Sequence, residues 1–175
     1  MNNGPTRRDW LLAAACWSEL LARGDDKRSL VTLTPTEAAE IEAIAGEIIP
    51  EDDGTPGAKT AGVIWFIDRA LREYDEDKRH LYSTGLADAQ RRRTEMFPGS
   101  SSVAALDREQ RIALLRSLED TEFFRQVRLH TVLGFLGHPK YGGNRDQVGW
   151  KHIGFEPKMH HSRPFGAYDA EENRG

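Results

Sequence analysis

Histidines are the first candidates for chemistry in this chain, and five of its six, His130, His138, His152, His160 and His161, fall in the last third. A helical zinc motif needs two imidazoles at i and i+4 so that both reach one ion from one face, and no pair here has that spacing. His160 and His161 stand among prolines and charges, where solvated histidines are common. The single cysteine, Cys16, excludes an intrachain disulfide, a cysteine-rich zinc site and haem attachment through paired cysteines. Hydride abstraction from an alcohol needs a flavin or a nicotinamide, yet the G-x-G-x-x-G fingerprint that seats a dinucleotide is missing. A phosphate-cradling P-loop and a G-x-S-x-G nucleophile elbow are missing too. The residues point to a protein that binds rather than catalyses; a histidine-dependent metal enzyme is the weaker alternative.

Binding has a better footing in residues 138–155, where four glycines are set among Tyr141, Asn144, Arg145, Trp150 and Phe155. Glycine lets a backbone approach closely, and Tyr and Trp offer apolar area with a polar tip. Two readings follow. In one, Tyr141, Gly142, Gly143, Asn144, Arg145, Trp150 and Phe155 meet a partner, with Tyr141, Arg145 and Trp150 as anchors and Asn144 orienting the loop. In the other, the loop folds back on its own core.

These residues need a scaffold, and the apolar spacing predicts a helical one. Thr34, Pro35 and Glu37 form a capping box with proline in the first turn, followed by Ala38, Ile41, Ile44, Ala45 and Ile48 on one face and a stop at Pro50. A second helix is expected from about Ala58, carrying Ala61, Ile64, Trp65, Asp68 and Leu71 along one side. Residues 74–95 read as one long polar helix or two joined pieces, with Arg91, Arg92 and Arg93 at a solvated end. Asp107 and Gln110 open another, bearing Ile112, Leu115 and Leu118. A last helix carries Phe123, Phe124, Val127, Thr131, Val132 and Phe135 and ends near Gly137. No alternating apolar run suggests a strand. The fold class is therefore mainly α: a single compact domain of about five helices over residues 30–157, with a long glycine and aromatic loop and an extended tail. Residues 1–29 form an N-terminal helix or a degenerate export-like segment, and 158–175 a polar tail in which Phe165 and Tyr168 are suited to docking as an extended arm.

Charge narrows the partners. With 24 Lys and Arg against 28 Asp and Glu, the formal net charge is −4, so no broad positive field exists for a phosphate backbone and nucleic acid is not expected. Arg7 and Arg8 precede an apolar run in the manner of a twin-arginine signal, but Ser18 and Glu19 interrupt that run after Trp17. It is too short for a membrane span. A retained amphipathic helix and a cytoplasmic protein are expected, with periplasmic export through Arg7 and Arg8 as the alternative.

Several short stretches then occur in a telling order. They are Leu33-Thr34-Pro35, Ala43-Ile44-Ala45-Gly46-Glu47-Ile48-Ile49-Pro50, Pro56-Gly57-Ala58 with Ala61-Gly62-Val63, Tyr141-Gly142-Gly143-Asn144, and Gly149-Trp150-Lys151 with Ile153-Gly154-Phe155. Together they resemble the gluconate 2-dehydrogenase subunit 3 family over about residues 30–157. The resemblance implies a small, helical, non-catalytic subunit that binds and stabilises a large flavoprotein of the glucose-methanol-choline class, acting on sugars, glycosides or polyols. It implies FAD in that partner and no cofactor in this chain, often with a cytochrome c as electron acceptor. Members commonly carry a twin-arginine signal that also serves the partner. The rival from another class is a stand-alone helical binding module with a closed surface.

Overall fold

A computed structural model describes residues 29–157. The expectations for Arg7, Arg8 and Cys16, and for His160, His161, Phe165 and Tyr168, lie outside the described residues. Six α-helices occur among the described residues: α1 (Pro35–Ile48), α2 (Val63–Glu73), α3 (Arg79–Met96), α4 (Arg108–Leu118), α5 (Glu122–Leu136) and α6 (Val148–His152). No strand occurs among them, so the chain is mainly α as the apolar spacing demands.

Both capping boxes form. Thr34 Oγ1 accepts from the Glu37 N–H at 3.2 Å while Glu37 Oε2 accepts from the Thr34 N–H at 2.8 Å. Asp107 and Gln110 make the same reciprocal pair at the start of α4. Each satisfies backbone donors that the first helical turn leaves unpaired. Below them, Ile41, Ile44 and Ala45 of α1 meet Ile64, Ile67 and Leu71 of α2 and Leu114 and Leu118 of α4 in one buried core.

Helix α5 is the hub, since it touches α1, α2, α3, α4 and α6. Phe123, Val127, His130, Thr131 and Phe135 are its buried face. Across α1 and α4, Arg111 Nε donates to Glu47 Oε1 at 2.8 Å, tying the two helices at their edge.

Two expectations need correction. Helix α2 begins at Val63 rather than near Ala58, because residues 57–62 close turns of unequal length: Ala61 N–H to Gly57 O, Gly62 N–H to Lys59 O and Val63 N–H to Ala58 O. No uniform i to i+4 ladder can start there. The stretch 74–95 takes the two-piece form of the expectation: α2 ends at Glu73, a 3₁₀ turn spans Glu76–Lys78, and α3 follows directly and runs to Met96. The arginine triplet is not simply solvated, for Arg92 donates to the Ser117 carbonyl and Arg93 to the Ser100 carbonyl, while only Arg91 faces out, paired with Asp88 and Glu95. Residues 141–155 hold a 3₁₀ turn at Arg145–Gln147 and the short helix α6, so the described residues carry six helices, in keeping with the expected mainly α domain of about five.

Val31, Thr32 and Leu33 lead into α1. All three backbone N–H groups donate to the Asp68 carboxylate, at 2.9, 2.9 and 2.8 Å. Asp68 is buried on α2, so a carboxylate that would be costly alone is satisfied by three donors.

Candidate functional site

The segment after α5 turns back across that helix's C-terminal end. Asn144 is fully buried and left-handed (φ 46°). Its amide works in two directions: Nδ2 donates to the Gly137 carbonyl at 2.9 Å, and Oδ1 accepts from the Gly149 N–H at 2.9 Å. One side chain thus joins the end of α5 to the start of α6. Next to it the Arg145 N–H donates to the Ala61 carbonyl at 2.9 Å, fastening the loop to the turns before α2.

Two glycines make this closeness feasible. A Cβ on Gly143 would collide with the Gly134 carbonyl, and one on Gly149 with the Phe135 carbonyl. The loop backbone lies directly on the α5 backbone at both places. Asp146 and Gln147 also take left-handed φ values, 53° and 58°. With Asn144, three non-glycine residues in four hold a conformation that costs each about 1–2 kcal/mol, sustained by the surrounding contacts.

Trp150 is 9% exposed. Its Nε1–H donates to the Leu136 carbonyl at 2.6 Å, satisfying one of the acceptors left over at the end of α5. The indole meets His138 edge-on at 5.5 Å and Phe155 at 5.1 Å. Tyr141 is half-buried against Tyr74, with Lys140 Nζ 4.8 Å above its ring. Arg145 is half-buried and its Nε has no hydrogen-bond partner. Phe155 is exposed. Of the seven residues expected to meet a partner, then, Gly143, Asn144 and Trp150 are turned into the domain and shape the loop. Tyr141, Gly142, Arg145 and Phe155 keep surface.

The histidines are dispersed among these elements. His138 Nδ1 accepts from the Lys140 N–H, and His152 lies edge-on to Phe135. His130 is buried in a chain of its own: Tyr82 Oη is 2.9 Å from Nδ1, and Asp75 Oδ2 is 3.0 Å from Nε2. Gln126 Nε2 lies 2.8 Å from the same Nε2, so the Asp75 carboxylate, which accepts only, favours a proton on Nε2 while the Gln126 amide N–H favours a lone pair there. Burial pushes the His130 pKa below its usual value against the pull of Asp75, and burial pushes Tyr82 up. A tyrosine, histidine and carboxylate in line could relay a proton, but Tyr82 and His130 are each 1% exposed and leave no room for a substrate between them. Among the described residues no three His, Cys, Asp or Glu side chains are grouped to hold a metal ion. No described helix is long and apolar enough to cross a membrane.

The family model described as gluconate 2-dehydrogenase subunit 3 matches residues 35–157, which include every element described above. The chain belongs to the gluconate 2-dehydrogenase subunit 3 family. That family takes its name from a subunit of a dehydrogenase, and here its matched region runs from the first helix to the end of the folded loop. No curated protein matches the chain, and no solved structure does.

The apolar spacing grouped Val132 with the core residues of α5, but the structure turns it outward beside two leucines. Leu129, Val132 and Leu133 of α5 are 51%, 41% and 45% exposed, on the side of the helix away from Val127, Thr131 and Gly134. The signal was present: with Leu136 these residues recur at i, i+3, i+4 and i+7, a second apolar stripe on a helix that already has one.

Proposed function

We propose that this chain is the non-catalytic small subunit of an FAD-dependent oxidoreductase of the glucose-methanol-choline class, which it binds and stabilises. The observation that carries the reading is the family match over residues 35–157, spanning all six described helices. The architecture agrees with it: the buried polar groups of α5 and the loop serve packing, and the apolar surface left over suits a second protein. FAD and the oxidation of a sugar, glycoside or polyol belong to the partner, with a cytochrome c as acceptor. The reading keeps the subunit in the cytoplasm, because the apolar run after Arg7 and Arg8 is short; a native chain whose mass begins beyond about residue 20 would reverse that point.

Co-expression with a flavoprotein of the glucose-methanol-choline class from the same genome tests the reading. Size-exclusion chromatography at micromolar concentration should give one peak containing both chains and flavin absorbance, while this chain alone is colourless and without dye-linked dehydrogenase activity. Two separate peaks, or activity in the isolated chain, would sink the proposal.

A further inference from the structure

A central helix has little reason to be apolar on its outer side. Of the faces of α5, one is spent on the core, and a polar residue at 129, 132 or 133 would cost the isolated domain only the covered half of each side chain. Leucine and valine stand there instead. The surface does not stop with the helix. Trp150 holds the Leu136 carbonyl at the end of the stripe, and the exposed Phe155 lies against Trp150, with exposed Ile153 in the same turn. About half of each exposed side chain is uncovered, which amounts to roughly 400 Å² of apolar surface, in the range of patches that mark association sites. A standard interface takes about 800 Å² from each partner, so the patch would be its apolar centre and not its whole extent.

The flanks say what surrounds that centre. Arg125 and Arg128 sit on α5 beside Leu129, and Lys140 and Lys151 stand past the helix end, all four exposed. Glu122, Asp146 and Glu156 are the carboxylates of the same stretch, three against the five cations Arg125, Arg128, Lys140, Arg145 and Lys151. In a chain of net charge −4 this is a locally cationic border. Such a border favours a partner whose matching apolar face is edged with Asp and Glu.

Resting on the accessory-subunit reading above, we infer that the outer face of α5, centred on Leu129, Val132 and Leu133 and continued by Phe155, seats the flavoprotein subunit through an apolar face bordered by carboxylates. The residues of the folded loop act through shape: Asn144 and Trp150 set where Phe155 stands relative to the stripe.

The test uses the full chain co-expressed with the flavoprotein. Wild type should co-elute; if it does not, the accessory-subunit reading itself fails, and the surface goes with it. Given co-elution, Leu129→Glu with Leu133→Glu should leave the free subunit folded, with a melting temperature lowered by only a few degrees, and weaken association about 100-fold or more. Arg125→Glu with Arg128→Glu should weaken it less and reduce its dependence on salt. Should the glutamate pair fail to fold, Leu129→Ser with Leu133→Ser asks the same question with a smaller change. Unaltered binding by the folded leucine variants overturns the surface while the subunit reading stands. Two further results also overturn it: light scattering that shows a dimer of this chain abolished by the leucine variants, or hydrophobic-dye binding at the stripe that emerges only when residues 158–175 are removed. The first would assign the face to a second copy, the second to this chain's own C-terminal residues.

Discussion

Replacing Trp150 with alanine removes an indole that is nine-tenths covered, takes away its edge-on contacts with His138 and Phe155, and leaves the Leu136 carbonyl without its donor. A large buried aromatic cut to alanine costs about 3–5 kcal/mol, and a site at the end of the domain, free to collapse on one side, belongs near about 3. Roughly 1 kcal/mol of that is the lost hydrogen bond, so Trp150→Phe, which keeps a ring and drops the donor, should cost about 1 kcal/mol alone. For a domain of this size each kcal/mol moves the midpoint by about 3–4 °C, giving a drop of about 10 °C for alanine and about 3–4 °C for phenylalanine. Circular-dichroism melting of the free subunit measures both. In a titration with the proposed flavoprotein partner, folded Trp150→Phe should bind as wild type does. A melting midpoint for Trp150→Ala within about 2 °C of wild type would refute the reasoning, since it would mean that α6 detaches without the other helices losing support.

Asp68→Ala should cost about 2–3 kcal/mol in chemical denaturation, because three backbone donors at Val31, Thr32 and Leu33 lose a charged acceptor together; a cost under about 0.5 kcal/mol would show that water replaces it freely. A pH series tests His130. Its folded pKa lies below the ordinary value of 6.5, so as pH falls through 6.5 the unfolded chain takes up a proton before the folded one does. The stability due to neutral His130 is therefore complete above about 6.5 and lost progressively below it. Wild type should lose more stability than His130→Gln between pH 7.5 and 5 in urea denaturation, and equal losses would contradict the sign.

Much of this architecture could be read from local pattern, and what could not has particular causes. The helix start at Thr34 was plain because the box is written in neighbouring side chains, and the buried face of α1 followed from its spacing. Asp68 was placed on the inner side of its helix with no hint of its task, since its partners are backbone N–H groups 35 to 37 positions away, which carry no side-chain signature. Asn144 and the glycines at 143 and 149 declared a special backbone but not what it leans on; that needed the α5 carbonyls in place. Trp150 was ambiguous for a chemical reason, as a ring with one donor suits an interface pocket and a helix end equally. The outward leucines were hidden by success. Once α5 had an adequate core face, the second stripe at 129, 132, 133 and 136 read as an extension of it, because spacing alone does not say which of two apolar faces meets the core.

The grip of Asp68 on residues 31–33 also has a mechanical side. Any pull arriving through residues 1–28 meets three hydrogen bonds to α2 before it can reach the Thr34 cap of α1. The load is handed to a helix in the middle of the packing, and the first helix is left slack. A tag, a fusion or a tether placed ahead of Ser29 is accordingly moored to the body of the domain, so movement of whatever is attached there should not unwind α1 from its end.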